Sequence, residues 1–248
     1  MISAVILTKN EEANISDCVK SLSWCDEVVV VDDNSKDRTI ELVKKLNARV
    51  YTHPINNDFS SQRNFGLSKA KGDWVLFVDA DERVSSSLAF EISNAIIFSS
   101  EFNGFYIKRR DVMWKKELKY GESGNMHLLR LGKKGVGKWE GKVHEEWEVK
   151  GNIGKLKNPI MHFPHKTFQE FLKEINFYTT VRAEELYKKG AKANFLSILL
   201  YPLGKFLFNF LLKLGFIDRM PGLIVALAMS FHSFLVRGKL WLLWQKKE

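Results

Sequence analysis

The sequence predicts an α/β fold in which a mostly parallel β-sheet is flanked by helices and followed by a helical C-terminal extension. Two observations predict the sheet. Short apolar runs rich in β-branched residues alternate with segments whose apolar residues recur at helical spacing. These runs are continuously apolar, which is typical of strands covered on both faces in a parallel sheet. The extension is predicted because the last 98 residues are both strongly apolar and basic.

The predicted elements of the first part alternate in a regular order. Strands are predicted at residues 3–7, 27–31, 49–52 and 74–78, and helices at about 12–24, after an N-cap at Asp37, and at 60–70. Repeated strand–helix units of this kind build parallel sheets. The chain of 248 residues is long enough for one large domain with an appendage. We therefore expect an α/β domain over residues 1–165 and a helical extension over residues 166–248.

Polar side chains follow three of the predicted strands, at residues 8–12, 32–35 and 79–82. In a parallel sheet the carboxyl ends of the strands share one edge, and ligands bind there. Local turn and cap chemistry explains any one of these clusters taken alone. Their shared edge favours a functional site, above all for Asp79 and Asp81, which end a fully apolar strand.

The pair Asp79 and Asp81 indicates a site for a divalent cation. Carboxylate oxygens two residues apart at a strand end suit Mg²⁺ or Mn²⁺, which keep positions open for substrate phosphates. The sequence has neither a G-x-x-x-x-G-K-[ST] motif nor a G-x-G-x-x-G motif after the first strand. The glycines at residues 135–137 are predicted to form a hairpin turn. A nucleotide at this edge would therefore be held by a metal and by side chains.

Four sequence blocks together resemble the family 2 glycosyltransferases of GT-A fold. In chain order they are VILTKNEEANI, DEVVVVDDNSKDRT, SSQRNFGLSKAKGDWVLFVDADERV and GKVHEEW. They are most similar to the branch of lipopolysaccharide-core β-glucosyltransferases, over residues 1–165 and more loosely beyond. The resemblance implies an inverting transfer of a sugar, such as glucose from UDP-glucose, to a lipid-linked glycan such as lipopolysaccharide core, with Mg²⁺ or Mn²⁺ as cofactor. It also divides the domain into a nucleotide-sugar half, about residues 1–100, and an acceptor half, about residues 101–165.

The resemblance further implies roles for individual residues. Thr8, Asn10 and Glu12 would border the nucleoside, Asp33 the base or ribose, and Arg63 the nucleotide, while Asp79 and Asp81 would face the ribose, the metal and the diphosphate. Relatives often read Asp-Ser-Gly-Ser-Thr-Asp where this chain has Asp-Asp-Asn-Ser-Lys-Asp at residues 32–37. The sequence therefore leaves open whether Asp32 or Asp33 faces the base.

An inverting transfer also needs a base that accepts the proton of the attacking hydroxyl. The segment Val-His-Glu-Glu-Trp at residues 143–147 supplies two carboxylates. If this segment is a strand, Glu145 and Glu146 point to opposite faces, and only one of them faces the site. We predict Glu145, because the family pattern centres on the His-Glu pair; the alternative is that both are surface acids. His144 and His162 are possible metal neighbours, although a structural hydrogen-bonding role is more common for such histidines.

Aromatic and basic residues are interleaved in the middle of the chain. They are Phe105, Tyr106, Trp114, Trp139 and Trp147, with basic runs at residues 108–110 and 115–116. Such a pattern suits stacking and ion pairing with single-stranded nucleic acid, and equally with sugar rings and phosphorylated glycans. Beside a metal-binding edge we favour a glycan acceptor and expect no nucleic-acid partner; the alternative is that most of these aromatic residues belong to the core.

The whole net charge lies in residues 151–248, which hold 15 Lys and Arg against 6 Asp and Glu, whereas residues 1–150 hold 23 of each class. An amphipathic helix is predicted at 168–187, followed by strongly apolar segments at 195–216 and 223–244. Neither apolar segment offers the roughly 20 uninterrupted apolar residues of a spanning helix. Apolar helices edged by basic residues and tryptophans suit an anionic membrane surface. The alternative is a buried helical hairpin.

The predicted location is cytoplasmic, peripheral on the inner face of the cell membrane. Cys18 and Cys25 are expected to be free thiols, and the apolar run at residues 2–7 lacks the preceding basic residues of a signal peptide. Two other functions stay open. A nucleotidyltransferase of related fold would carry a Gly-rich basic loop after the first strand, where this chain has Thr-Lys-Asn-Glu-Glu. A non-catalytic membrane- or glycan-binding module would show no metal-dependent nucleotide binding.

Overall fold

The computed structural model describes residues 1–56, 58–122, 124, 126–141, 145–164 and 167–245. Within it the chain forms two compact units, residues 1–109 with 126–162 and residues 110–125 with 163–248. The first unit contains most of the sheet, and the second contains the C-terminal helices. The domain boundary at residue 165 stays a prediction. The short segment 110–125 belongs to the same compact unit as residues 163–248.

Parallel strands form one half of the sheet. β1 (Ile2–Thr8) lies between β2 (Glu27–Asp32) and β4 (Trp74–Asp79), and β3 (Arg49–Thr52) pairs with the free side of β2. Most side chains of the three inner strands are fully buried, as expected for continuous apolar runs covered on both faces. The predicted α/β class with a mostly parallel sheet is confirmed, and each of the four predicted strands is correct to within one residue at either end.

Four helices connect and flank the strands of this unit: α1 (Ile15–Ser21), α2 (Thr39–Lys44), α3 (Phe59–Lys69) and α4 (Ser86–Phe98). The first helix is shorter than the predicted 12–24, because the chain from Glu11 to Asn14 forms a turn in which Glu11 C=O accepts from Asn14 N–H at 2.9 Å. The predicted N-cap at Asp37 is displaced by one residue. Arg38 occupies the cap position, but Asp37 still accepts a hydrogen bond from Thr39 N–H at 3.0 Å.

The remaining strands extend the sheet on the far side of β4. They are β5 (Glu82–Arg83), β6 (Phe102–Met113), β7 (Lys116–Glu117), β8 (Met126–Lys133), β11 (Asn152–Lys155) and β12 (Ile160–His162). The strand order is β3-β2-β1-β4-β8-β6-β12-β5, with β7 and β11 also paired to β6. Because β8 runs antiparallel to β4, the first half of β8 lies beside the carboxyl end of β4.

The strands β9 (Gly137–Glu140) and β10 (Glu146–Val149) form a separate antiparallel pair. A turn at Gly135, with φ of 85°, joins β8 to β9. Gly135 therefore lies in a turn as predicted, but Gly137 begins β9, and the predicted hairpin was wrong, because β9 pairs with β10 rather than with β8. The reason is apolar packing: Trp139 and Trp147 are register partners, stack at 5.5 Å and both contact the ring of Phe77 in β4.

The second unit is built on three long helices and two short helical turns. They are α5 (Phe168–Lys188), α6 (Phe195–Leu207), a π-helical turn (Phe208–Leu212), a 3₁₀ turn (Gly215–Asp218) and α7 (Arg219–Gln245). Phe171 and Ile175 of α5 pack with Val225 of α7 and with Leu118. The buried carboxylate of Asp218 accepts hydrogen bonds from two successive backbone N–H groups, of Lys119 and Tyr120, at 2.9 Å each. The predicted amphipathic helix at 168–187 corresponds to α5.

The apolar side chains of α6 are largely exposed. Leu199, Leu200 and Leu203 are each more than half exposed. Two stretches, Phe195–Leu212 and Gly215–Gln245, are long and apolar enough to cross a membrane. Only 6% of the residues are buried in the first stretch, and 33% in an 18-residue apolar part of the second. Within its own unit, the first stretch is therefore not a buried hairpin arm.

Candidate active site

Two arginines hold the carboxylate of Asp79 at the end of β4. Arg63 Nη2 lies 3.1 Å from Asp79 Oδ1, and Arg130 donates to both oxygens of Asp79, at 3.3 Å to Oδ1 and in a shorter contact to Oδ2. The two guanidinium groups are almost fully buried, with 7% and 5% of their side chains exposed. Burial opposes ionisation of Asp79, but the charges of Arg130 and Arg63 outweigh it and hold the pKa of that carboxyl well below its usual range.

Glu82 adds a second acid to this cluster. Its Oε2 accepts a hydrogen bond from Asp79 N–H at 2.9 Å, and its Oε1 lies 3.6 Å from Arg130 Nη2. The side chain is completely buried. Burial raises the pKa of Glu82, and the neighbouring charge of Asp79 adds to this effect, against the opposing charge of Arg130. The acids and arginines thus form one buried ionic network behind the strand end.

Arg63 links this network to Glu145. Its Nε donates to Glu145 Oε1 at 2.7 Å, and its guanidinium lies 4.6 Å from the centre of the Trp139 ring. Helix α3 reaches this position because Gly66 packs directly on β1: a Cβ there would come within 2.6 Å of Val5 Cγ1. Glu145 precedes β10 and is 14% exposed, and it is brought beside the cluster although it is distant from it in sequence.

Glu146 differs from Glu145 in its surroundings. Glu146 begins β10 and is exposed, whereas Glu145 is mostly buried against Arg63. Both border a cavity of about 220 Å³ that is also lined by Arg63 and Arg130. The choice of Glu145 as base stays a prediction. His144, the other half of the predicted His-Glu pair, lies outside the described residues.

Asp81 lies two residues beyond Asp79 and contacts a different partner. Its Oδ2 is 3.2 Å from Nε2 of His162, which ends β12, the strand that pairs with β5. About a quarter of the Asp81 side chain, 24%, is exposed. Of the two histidines considered as metal neighbours, His162 therefore lies beside a predicted metal ligand.

A divalent cation fits Asp81 better than Asp79 in this arrangement. Both oxygens of Asp79 are engaged by guanidinium groups, whereas Asp81 is partly exposed at the same strand end. In the part of the chain that is described, no group of three or more His, Cys, Asp or Glu side chains could hold a metal by itself. The donor set therefore fits a cation that Asp81 shares with oxygen atoms of a bound substrate, as Mg²⁺ and Mn²⁺ commonly are.

The predicted nucleoside residues lie at the end of β1, which Thr8 forms, and in the loops after β1 and β2. Asn10, with φ of 54°, donates its N–H to Ser35 Oγ at 2.8 Å and accepts from Lys36 N–H at 2.7 Å. Glu12 accepts from Arg38 N–H at 3.1 Å. Both side chains thus brace the loop after β2, which orders the rim of the site. Asn is well suited to the left-handed conformation at position 10, because its short polar side chain tolerates it.

Asp32 and Asp33 form hydrogen bonds with different partners. Asp32 accepts hydrogen bonds from the backbone and the hydroxyl of Ser35, so its oxygens close a local turn. Asp33 accepts from Ile55 N–H at 2.9 Å and pairs with Lys9 Nζ at 2.7 Å. Burial opposes ionisation of the Asp33 carboxyl group. The hydrogen bonds outweigh it, lower the pKa of Asp33 and keep it ionised. Of the two acids, Asp33 is the one not committed to the turn.

Several buried polar atoms have no hydrogen-bond partner among the described residues. They include Arg63 Nη1, Arg130 Nε and Thr8 Oγ1. Buried polar atoms of this kind are rare in proteins and costly, so each needs an explanation, such as a catalytic role or a bound water or ion. Two guanidinium groups with unused donors beside the acidic end of β4 are suited to the oxygens of a phosphate.

The sequence prediction missed Arg130. The nearest signal is a charged residue within the otherwise apolar run Leu128–Leu131 of β8. Arg130 lies 51 residues from Asp79, and the antiparallel pairing of β8 with β4 brings them together. Glu82, although part of the acidic cluster, was not assigned a role either. The predicted site residues all lie in this first unit: Thr8, Asn10, Glu12, Asp33, Arg63, Asp79, Asp81 and Glu145.

In comparisons with known proteins, both the family model and the similar sequences are those of glycosyltransferases. Residues 3–115 match the model of glycosyl transferase family 2. A lipopolysaccharide core biosynthesis glycosyltransferase, LpsC of Rhizobium meliloti, is 29% identical over 97% of this chain and 92% of its own length. An uncharacterized glycosyltransferase of Rickettsia typhi is 28% identical over 96% of this chain and 86% of its own length. Among solved structures, residues 1–349 of S. aureus TarS are 17% identical, with 100% of this chain and 92% of that chain covered at a TM-score of 0.48.

The match over residues 3–115 and the similarity to LpsC therefore support glycosyl transfer as the class of activity. The matched residues, 3–115, make up just under half of the chain, and the match is to the family that the four sequence blocks resemble. Over nearly its whole length it is similar to an enzyme of lipopolysaccharide core biosynthesis.

Proposed function

We propose that the protein is an inverting, metal-dependent glycosyltransferase that moves a hexose, such as glucose from UDP-glucose, to a lipid-linked glycan such as lipopolysaccharide core. The observation that carries the proposal is the link Asp79–Arg63–Glu145, which joins the strand-end acid to the predicted base through one buried guanidinium group. The similarity to LpsC, a glycosyltransferase of lipopolysaccharide core biosynthesis, supports the class of acceptor. The choice of donor rests on the sequence resemblance.

In this proposal Glu145 accepts the proton of the acceptor hydroxyl. The hydroxyl oxygen bonds to the anomeric carbon as the bond from that carbon to the diphosphate oxygen breaks, which inverts the configuration. Arg63 keeps the carboxylate of Glu145 in place through its Nε–H. The unused donor at Arg63 Nη1 is available to a donor phosphate. Arg63 would therefore position both the base and the leaving group.

Asp81 would be the principal protein ligand of a Mg²⁺ or Mn²⁺ ion, with Asp79 facing the ribose side of the donor. When bound, such an ion neutralises negative charge that develops on the diphosphate leaving group. Asp33, Thr8, Asn10 and Glu12 would border the nucleoside. Asp33 is the better candidate for the base or ribose, because Asp32 closes a turn.

The same proposal places the enzyme at the cytoplasmic face of an anionic membrane. The exposed apolar side chains of α6 and the net positive charge of residues 151–248 support attachment at the interface. A lipid-linked acceptor stays in the membrane, so attachment would keep enzyme and acceptor together. The two alternative functions, a nucleotidyltransferase and a non-catalytic binding module, draw no support from the family match.

Donor hydrolysis across a panel of nucleotide sugars, with Mg²⁺, Mn²⁺ or EDTA, tests the proposal. We expect metal-dependent release of one nucleoside diphosphate, strongest with one sugar, and its loss in Asp81→Asn. Asp73→Asn is the matched control, because Asp73 is an exposed acid that pairs with the N-terminus. Full activity of Asp81→Asn in EDTA would contradict the metal assignment. Absence of hydrolysis and of transfer with every donor would contradict glycosyl transfer.

A further inference from the structure

An open cavity lies between α6 and α7 in the C-terminal unit. It encloses about 640 Å³, which is within the usual range for small-molecule sites. Its polar lining comes from Tyr201, Lys205, His232, Ser233 and Arg237. Three of these five side chains are basic, namely those of Lys205, His232 and Arg237, and the first and last carry a positive charge. No acidic side chain lines the cavity in the described part of the chain.

The arginine of this cavity is held in place by its neighbours. Arg237 Cζ lies 3.7 Å from the centre of the Tyr201 ring, and Nη1 donates to the carbonyl and the hydroxyl oxygen of Ser233, at 3.2 and 3.1 Å. A guanidinium that is stacked on one face keeps its edge for planar, paired hydrogen bonds, which is the geometry that suits a phosphate group.

The second cation of the cavity, Lys205, is paired with a single carboxylate. Lys205 Nζ lies 2.8 Å from Glu122 Oε1, and Glu122 also accepts from Asn209 Nδ2 at 2.6 Å. Burial lowers the pKa of His232, and the charge of Lys205 lowers it further, so the imidazole stays neutral near pH 7. The two positive charges of Lys205 and Arg237 thus exceed the single negative charge of Glu122.

The cavity is surrounded by exposed apolar side chains of the same helices. Leu200 and Phe208 form part of its lining. Leu203 of α6 is 54% exposed, and Phe231 and Phe234 of α7 are 46% and 43% exposed. A site with cations inside and an apolar rim matches an amphiphile, whose charged head and apolar chain need both environments.

We propose that this cavity binds the phosphate-bearing head group of an anionic lipid, with Arg237 and Lys205 contacting the phosphate. The proposal rests on the membrane attachment included in the proposed function, and adds to it a defined site in place of a general attraction. It predicts that these two side chains contribute more to membrane binding than other lysines and arginines of the same unit.

The test is sedimentation of the full-length protein with vesicles of phosphatidylcholine, with and without phosphatidylglycerol. We expect Arg237→Gln and Lys205→Gln each to weaken binding to the anionic vesicles about fivefold or more, the effect of one basic residue near such a surface. Lys173→Gln is the matched control: it removes the same charge from an exposed position on α5 and should change binding less than twofold. Equal losses in all three variants would overturn the proposal in favour of a general charge effect.

Two further variants distinguish loss of the lipid site from misfolding of the protein. Glu122→Gln frees Lys205 without removing a cation, and we expect it to strengthen binding to anionic vesicles. Arg237→Lys keeps the charge but loses the stacked, planar donor set, and we expect binding between that of the wild type and Arg237→Gln. Unchanged binding in Arg237→Gln and in Glu122→Gln would overturn the site.

The result is separable from the proposed enzymatic function. Hydrolysis of a soluble nucleotide sugar should be equal in the wild type and in Arg237→Gln, which also reports correct folding. Glycerol phosphate added in excess should compete poorly with vesicles, because it lacks the acyl chains. Full competition would identify a free-phosphate site and overturn the lipid assignment. A wild type that hydrolyses donor but ignores anionic vesicles would overturn the lipid site and leave the transferase intact.

Discussion

At the scale of single residues, the site is organised by Arg63. Its three nitrogen positions have three different environments: Nε holds Glu145, Nη2 holds Asp79, and Nη1 is buried without a partner among the described residues. Stacking on Trp139 restricts the guanidinium plane. One side chain can therefore set the distance between the predicted base and the strand-end acid.

The first residue-scale prediction concerns the base. Glu145→Gln keeps the size of the side chain and a possible hydrogen bond to Arg63, but cannot accept a proton. We expect donor binding to be retained and glycosyl transfer to fall about 100-fold or more, a typical contribution of general base catalysis. Transfer kinetics and nucleotide titration measure the two effects separately. Glu146→Gln is the matched control, and a larger loss there would show that the neighbouring carboxylate is the base.

The second residue-scale prediction concerns Arg130. Arg130→Met removes a buried cation and leaves Asp79 and Glu82 close together, Glu82 without its opposing charge. We expect the free energy of unfolding to fall by about 3–5 kcal/mol, because breaking a buried ion pair leaves an uncompensated charge. Urea denaturation monitored by tryptophan fluorescence checks this. The double variant Arg130→Met, Glu82→Gln should recover part of the loss; a cost as large as that of the single variant would contradict a shared ionic network.

At the scale of elements, hydrogen bonds to one partly buried carboxylate connect the parallel strands at the end opposite the site. Glu27, the first residue of β2, accepts hydrogen bonds from Ser3 of β1, Arg49 of β3 and the N–H of Lys71. One carboxylate thus joins three strands and the segment that enters the fourth. Burial opposes ionisation of Glu27, but these hydrogen bonds outweigh it and lower its pKa.

The lowered pKa predicts how stability depends on pH. Because the folded value lies below the unfolded one, the stabilisation by Glu27 is complete above about pH 4.3, the usual value for glutamate, and is lost as the pH falls through the folded value. We expect Glu27→Gln to lower the free energy of unfolding by about 1–3 kcal/mol at pH 7, with a smaller difference from the wild type below pH 4. Chemical denaturation across this range measures it. Glu41→Gln, an exposed i,i+4 partner of Lys45, should change little at any pH.

At the scale of the whole molecule, charge and apolar exposure are concentrated in the same part of the chain. Residues 151–248 hold the entire net charge, and α6 exposes a row of leucines. Attraction to anionic lipid and burial of apolar surface are separate contributions, and they respond differently to salt. This difference makes membrane attachment testable with the intact chain. The full chain is the appropriate sample, because α7 packs against α5 and Leu118 within its unit.

We expect the full-length protein to sediment with anionic vesicles at low salt, to be released only in part by high salt, and to be released fully by mild detergent. Leu203→Gln, at an exposed position of α6, should reduce the salt-resistant fraction, because salt screens charge but not apolar insertion. Val181→Gln, at an exposed position of α5, is the control and should have a smaller effect. No sedimentation of the wild type at low salt would contradict attachment.

The sequence by itself determined the parallel strands, the polar edge and the resemblance to a family of glycosyltransferases. Those features depend on local patterns: a continuous apolar run such as 74–78 is buried wherever it lies in a sheet, and Asp79 and Asp81 must then follow it at the strand end. Tertiary structure alone decided that Arg130 pairs with Asp79, that Glu145 rather than Glu146 contacts Arg63, and that β9 pairs with β10. Each of these depends on pairing between segments distant in the chain. Burial of Trp139 and Trp147 on Phe77 and the antiparallel placement of β8 beside β4 select these pairings, because only the assembled sheet determines which charges and rings meet.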